Sequence, residues 1–242
     1  MPQTPARVDV SKNPEVLAHR VASWLTEVAA SSQGRFAIGL SGGSTPRRLY
    51  QLLAEPPFRD RLPWERVHWF WGDERFVPWD HPDSNYRMAR AAMLARSPAP
   101  AANIHGVDTS AETPADAARS YERTLQDYYG STTLDASRPL FDVQLLGLGE
   151  DGHTASLIPG TSELDERNRW AVEVIGARPE PRITLTYPVL ESSRHVAFLA
   201  AGADKRPILG RVLAGDQTLP AARVSPIGDL TWFVDEAARP ES

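Results

Sequence analysis

The chain has 242 residues, 41% apolar and 24% charged, with a net charge of −5 and no cysteine. That length can bury a sizeable core, and the acidic balance argues against a nucleic-acid or anionic-membrane surface. Lack of cysteine excludes disulfides, thiolate metal sites and a cysteine nucleophile, and suits a reducing, cytoplasmic setting.

The first fourteen residues are polar, without the apolar stretch of a signal peptide. Asn13-Pro14 can start a helix through Val16, Leu17, Val21, Leu25 and Val28, which recur at helical spacing. Arg35 to Leu40 reads as a buried strand, followed by the loop Ser41-Gly-Gly-Ser-Thr-Pro46 and a helix carrying Leu49, Tyr50, Leu52 and Leu53. A Trp-rich strand, Val67 to Trp71, leads into Gly72-Asp-Glu-Arg75 and a Pro-rich loop to Pro82. Helices are expected over Ser84–Leu94 and Pro114–Tyr129, with a Pro/Ala-rich surface excursion from Ser97 to Ala102 between them. The apolar run Val143–Leu146 ends in glycines, as a buried strand would, and Thr154 can cap a short helical turn that stops by Pro159. Trp170–Ile175, Ile183–Thr186, His195–Ala201 and Leu230–Val234 read as further strands, with a helix over Asp204–Leu213. Only Ser97–Ala102 and the tail after Glu236 look loosely ordered. Strands alternating with helices imply one α/β domain with a mostly parallel sheet and helices on both faces.

Chemistry-bearing residues fall just after strands, where open α/β sheets bind ligands. Gly147-Leu-Gly-Glu-Asp-Gly-His153 sets Asp151 and His153 on a tight loop. The stretch also fits G-x-G-x-x-G, with Glu173 placed as a ribose-binding acid. Glu150 and Asp151 would then lie in the pyrophosphate cradle, and Pro159 shortens the helix the motif needs. Taken alone, the stretch leaves a catalytic pair and a plain Asx-turn beside a solvated histidine both open. Ser41, Gly42, Gly43, Ser44 and Thr45 offer backbone and hydroxyl donors, with Pro46 suited to the first helical position, as an oxyanion cradle requires. Gly39-Leu-Ser41-Gly-Gly43 also matches the G-x-S-x-G nucleophile elbow, for which His195 is the best histidine; a plain glycine turn is the third reading. Asp73, Glu74 and Arg75 form either a solvated loop or part of the same site. Arg182 and Lys205 each set a cation beside a strand end, and together would suit a phosphomonoester. The six histidines show no metal-ligand spacing, so neither a metal nor another cofactor is expected.

Five stretches, in order, resemble the 6-phosphogluconolactonase family, which shares a superfamily with the glucosamine-6-phosphate deaminases and isomerases. They are Leu-Ser-Gly-Gly-Ser-Thr-Pro46, Trp-Gly-Asp-Glu-Arg75 with Ser84-Asn-Tyr, Gly-Leu-Gly-Glu-Asp-Gly-His-Thr-Ala-Ser156, Arg182-Ile-Thr-Leu-Thr and Gly-Ala-Asp-Lys205. The resemblance implies a Rossmann-like three-layer α/β sandwich and hydrolysis of a phosphosugar lactone, 6-phospho-D-glucono-1,5-lactone. By position, Ser41 to Thr45, Arg182 and Lys205 would hold the phosphate. His153 would be the base beside Asp151, with Arg75 and Asp73 facing the lactone. Deaminases carry a Glu seven residues after the Asp of Asp-Gly-His, where this chain has Ile158, and typically lack the Arg at position 75. Both differences favour the lactonase over an amino-sugar-phosphate deaminase. A non-catalytic sugar-phosphate sensor would be expected to lose the Asp-Gly-His pair or add a DNA-binding segment. No nucleic-acid or membrane partner is expected, and a monomer is the expected state.

Overall fold

Apolar runs and amphipathic segments alternate to give nine strands and eight α-helices among the described residues, 6–241 of the computed structural model. In order these are β1 (Arg7–Ser11), α1 (Pro14–Ser31), β2 (Phe36–Leu40), α2 (Ser44–Leu53), α3 (Phe58–Arg61), β3 (Val67–Trp71), β4 (Asp73–Arg75), α4 (Asn85–Ala92) and α5 (Pro114–Tyr129). There follow β5 (Phe141–Gly147), β6 (Ala171–Val174), β7 (Arg182–Leu185), α6 (Tyr187–Glu191), β8 (Ser193–Ala200), α7 (Arg206–Leu213), α8 (Pro220–Arg223) and β9 (Asp229–Asp235). The expectations for residues 1–5 and Ser242 lie outside the described residues.

Six strands form a wholly parallel sheet in the order β1-β9-β8-β5-β2-β3. Both faces are covered, so neighbouring residues on one strand enter opposite cores. Val196, Phe198 and Ala200 of β8 pack with α5, α6 and α7, whereas Ala197 and Leu199 pack with α1, α2 and α4. Chain order reverses between β2 and β5, so the loops leaving their carboxyl ends, at Ser41 and Leu148, flank a topological switch point.

The strands expected near residues 170 and 183 do not join this sheet. In a separate three-stranded sheet β7 is central and pairs antiparallel with both β4 and β6, so Asp-Glu-Arg75 is a strand and not a solvated loop. Gly72 is the joint between the sheets. Its N–H donates to the Leu40 carbonyl at 2.8 Å and its carbonyl accepts from the Leu185 N–H at 2.9 Å.

Four local expectations are corrected. β1, which falls in the polar stretch read without any strand, pairs with β9 at the sheet edge. No helical turn follows Thr154; residues 154 and 157 instead bridge through reciprocal backbone hydrogen bonds across a tight turn, with Ala155 at φ 49°. The tail after Glu236 is anchored: Ala238 is fully buried, its N–H donating to Asp235 Oδ1 at 2.8 Å. Within the excursion, residues 101–103 form a 3-10 turn, and just beyond it the His105 N–H bonds the Trp69 carbonyl.

Candidate active site

Two fully buried tyrosines shape the strand ends around the switch point. Tyr50 Oη accepts the Ser41 N–H at 2.9 Å and donates to the Ser41 carbonyl at 2.8 Å. Tyr121 does the same for Trp71, at 2.7 and 2.8 Å. Burial pushes both phenols well above their ordinary range. Each hydroxyl replaces the strand neighbour that its backbone would otherwise need, so the chain can leave the sheet there.

Between the strand ends lies a cleft of about 200 Å³. Ser41, Gly42 and Gly43 form one wall; Gly147, Leu148, Gly149, His153 and Ala155 form a second; Asp73, Arg75, Asn85 and Arg182 close it from the small sheet and α4. α2 begins at Ser44 with Gly43 as its cap at φ 107° and no side chain bonding its first amides. Pro46 is therefore the third helical residue and not the first. Ser44 and Thr45 lie in the helix's first turn, so its open amides sit directly behind the glycines, as an anion site needs.

His153 and Asp151 are a true pair. Asp151 Oδ1 lies 2.5 Å from His153 Nδ1 and accepts the His153 backbone N–H at 3.1 Å. A carboxylate facing Nδ1 selects the tautomer with its proton there, leaving Nε2 as the basic nitrogen. Arg178, from the loop between β6 and β7, donates to Asp151 Oδ2 at 2.5 Å. Partial burial would raise the Asp151 carboxyl, but His153 and Arg178 outweigh it and hold the group at about 2. Gly149 explains the ring's placement: an added Cβ there would lie only 2.0 Å from His153 Nδ1, so the imidazole rests against bare backbone.

The three charges after Trp71 have different fates. Asp73 is buried, its Oδ2 accepting from Ser156 Oγ at 2.7 Å and its backbone carbonyl from Asn85 Nδ2 at 2.9 Å. Glu74 turns away to accept the Asn85 and Tyr86 amides, each at 2.7 Å, and so holds the start of α4. Burial pushes its carboxyl up to about 7 against the pull of those amides and that of Arg75. Arg75 stands directly across the ladder from Arg182, and both line the cleft. The Nε of each is buried without a hydrogen-bond partner among the described residues. Like charges facing across a strand pair are destabilising, and the anion beside this pair is Glu180, which accepts from Arg182 Nη2 at 2.6 Å.

Lys205 ends a 3-10 turn after β8 and pairs with Asp204 at 3.2 Å; it is not among the residues lining the cleft. Neither rival motif finds its partners. His195 lies in register with Val143, four residues before the cleft end of β5, so no histidine reaches Ser41 from there. No α-helix follows Gly152 before β6, which leaves a dinucleotide motif without its helix. Among the described residues, no group of three or more His, Asp or Glu side chains could hold a metal ion. Arg178 had no sequence signal, being one cation in a Pro-rich loop. Asn85 and Ser156, which hold Asp73, lay within the matched stretches without roles of their own.

A family model described as "Glucosamine-6-phosphate isomerases/6-phosphogluconolactonase" matches residues 12–232. The chain belongs to that family. Curated family members similar to it include a 6-phosphogluconolactonase from Nostoc sp., 46% identical over 89% of this chain and 88% of that protein. Another, from Synechocystis sp., is 43% identical over 96% of each chain. Among solved structures, a 6-phosphogluconolactonase from Thermotoga maritima superimposes with a TM-score of 0.80 at 30% identity, covering 96% of this chain and all of that one. A monomeric glucosamine-6-phosphate deaminase, at 21% identity and a TM-score of 0.79, shares the fold.

Proposed function

We infer that this protein hydrolyses 6-phospho-D-glucono-1,5-lactone to 6-phosphogluconate, a step of the pentose phosphate pathway, in the cytoplasm. The observation that carries the reading is His153, tied at Nδ1 to Asp151 while its ring lines the cleft. With Nε2 basic, the imidazole takes a proton from water as the oxygen attacks C1 of the lactone. Asp151 is a positioning group, holding the ring and favouring the imidazolium while it exists, as the acid of a catalytic triad does. Its ionisation near 2 keeps it a carboxylate throughout the neutral range. The tetrahedral oxyanion is met by Arg75 or by amides of the Gly147–Gly149 loop. His153 then returns the proton to the ring oxygen as the C1–O bond breaks, and the new carboxylic acid ionises.

The phosphate sits far from the bond being broken and fixes its register. Ser41, Gly42, Gly43, Ser44 and Thr45, with the open start of α2, are its proposed cradle, and Arg182 its main cation. Lys205 is the outermost ligand, reaching the phosphate by leaving Asp204. Asp73, held by Ser156 and Asn85, faces the sugar hydroxyls. Ile158, buried and outside the cleft, supplies no carboxylate for deaminase chemistry. The deciding assay is acid release from freshly made lactone, followed against its spontaneous hydrolysis. A rate no faster than the spontaneous one would refute the reading.

A further inference from the structure

The loop between β6 and β7 touches both halves of the cleft with opposite charges. Arg178 pairs with Asp151, and two residues later Glu180 accepts from Arg182 Nη2 at 2.6 Å. The Glu180–Arg182 pair is sheltered, with side-chain exposures of 27% and 11%. Among the described residues the Arg182 guanidinium has no other hydrogen-bond partner, its Nε being buried and unpaired. Arg75 stands across the strand ladder, and its field acts on Glu180 as well. Asp73 lines the same cleft but is engaged by Ser156 and Asn85, and Glu74 is spent on the amides of α4. Glu180 is thus the carboxylate that occupies the guanidinium to which the proposed function assigns the phosphate.

We propose that Glu180 is an affinity-setting residue: a resident anion on Arg182 that the phosphate of substrate or product must displace. The inference rests on Arg182 being a phosphate ligand. Every phosphorylated ligand gives up part of its attraction in breaking the Glu180 pair. That lowers affinity for substrate and product alike, so product departs faster than from an uncontested arginine. The carboxylate also offsets the repulsion between Arg75 and Arg182 while the cleft holds no ligand. A rival role for the same contact is orientation, in which Glu180 aims the guanidinium and strengthens binding.

The two roles predict opposite signs. Inorganic phosphate is titrated calorimetrically into the parent protein, Glu180→Gln, Glu150→Gln and Arg182→Ala. Glu150 is an exposed carboxylate on the neighbouring loop and controls for a general change in charge. Glu180→Gln is expected to bind phosphate about tenfold more tightly, as loss of one close charged competitor implies, with Glu150→Gln within twofold of the parent. In an Arg182→Ala background the Glu180→Gln gain should disappear. Unchanged or weaker phosphate binding in Glu180→Gln, or an equal gain in Glu150→Gln, overturns the proposal while leaving the Arg182 assignment intact. If Arg182→Ala binds phosphate as well as the parent does, the assignment fails and the proposal with it.

Discussion

Gly149→Ala tests the site through a residue with no side chain to take part in the proton transfer. The added methyl would lie 2.0 Å from His153 Nδ1, 2.2 Å from Cε1 and 2.7 Å from Cγ. Ordinary contact between such atoms begins near 3.4 Å, so the rigid ring must retreat by roughly 1.4 Å. The 2.5 Å contact with Asp151 cannot survive that movement. Gly149 is not among the positive-φ positions, so the backbone accepts alanine and the fold should persist. A base displaced by about 1 Å costs on the order of 10²-fold, and its complete loss 10² to 10⁴. The expectation is a kcat at least about 100-fold below the parent, KM within about threefold, and a melting temperature within a few degrees. Combining Gly149→Ala with His153→Ala should add almost nothing to His153→Ala alone, because both remove one function. The assay is initial-rate acid release on fresh lactone with the spontaneous rate subtracted. A Gly149→Ala enzyme keeping a third of the parent kcat would show that this imidazole does not perform the proton transfer.

Arg182→Ala should lower kcat/KM about 10- to 150-fold on the phosphorylated lactone, the worth of a charge-assisted hydrogen bond. Comparison with unphosphorylated gluconolactone checks this: the parent's preference for phosphate should collapse in the variant. Ser41→Ala should cost about tenfold or less as one donor among several, and mass spectrometry during turnover should find no acyl adduct on Ser41. Stability should fall in mild acid because of His105, which burial, then the nearby His68, push down from 6.5 to about 4. Its folded-state value lies below its unfolded one, so its contribution is complete above pH 6.5 and is lost as pH falls towards 4. Because the ring is only half-buried and solvent screens it, the loss should be roughly 1–2 kcal/mol, below the full worth of the shift. Urea titrations of His105→Phe across that window should show a flatter acid decline; an identical decline would place the acid sensitivity elsewhere.

The parallel sheet and the cleft loops were legible because the chain marks them locally. Apolar runs such as Phe36–Leu40 and Val143–Leu146 end in glycine and polar residues, and buried parallel strands need that contrast. What escaped depends on partners distant in sequence. Asp-Glu-Arg75 looks like a solvated turn until Ser156, Asn85 and the α4 amides satisfy its carboxylates and β7 pairs its backbone. β1 offers only five residues, with Val8 and Val10 substantially exposed at a sheet edge, too weak a pattern to read as buried. Thr154 has the chemistry of a helix cap, but residues 154 and 157 close on each other through a left-handed Ala155. Arg178 is joined to Asp151 across 27 positions, and no spacing rule links a cation in one loop to an acid in another.

The joint at Gly72 has a thermodynamic consequence. The three-stranded sheet has strands of only three or four residues; it meets the large sheet through that glycine's backbone hydrogen bonds and packs Ala171, Ile183 and Leu185 into the core with α5. With so few ladder hydrogen bonds, the unit is expected to open locally below the free energy of global unfolding. Amides of β6 and β7 should therefore exchange with deuterium together, and faster than those of β5 and β8. A phosphorylated ligand spanning Arg75 and Arg182 would join β4 to β7 at the cleft end, where the two arginines face each other across the ladder. Part of the ligand's binding free energy would then appear as slower exchange in β6, whose amides it does not touch. In that sense the ligand is a removable cross-link of the small sheet.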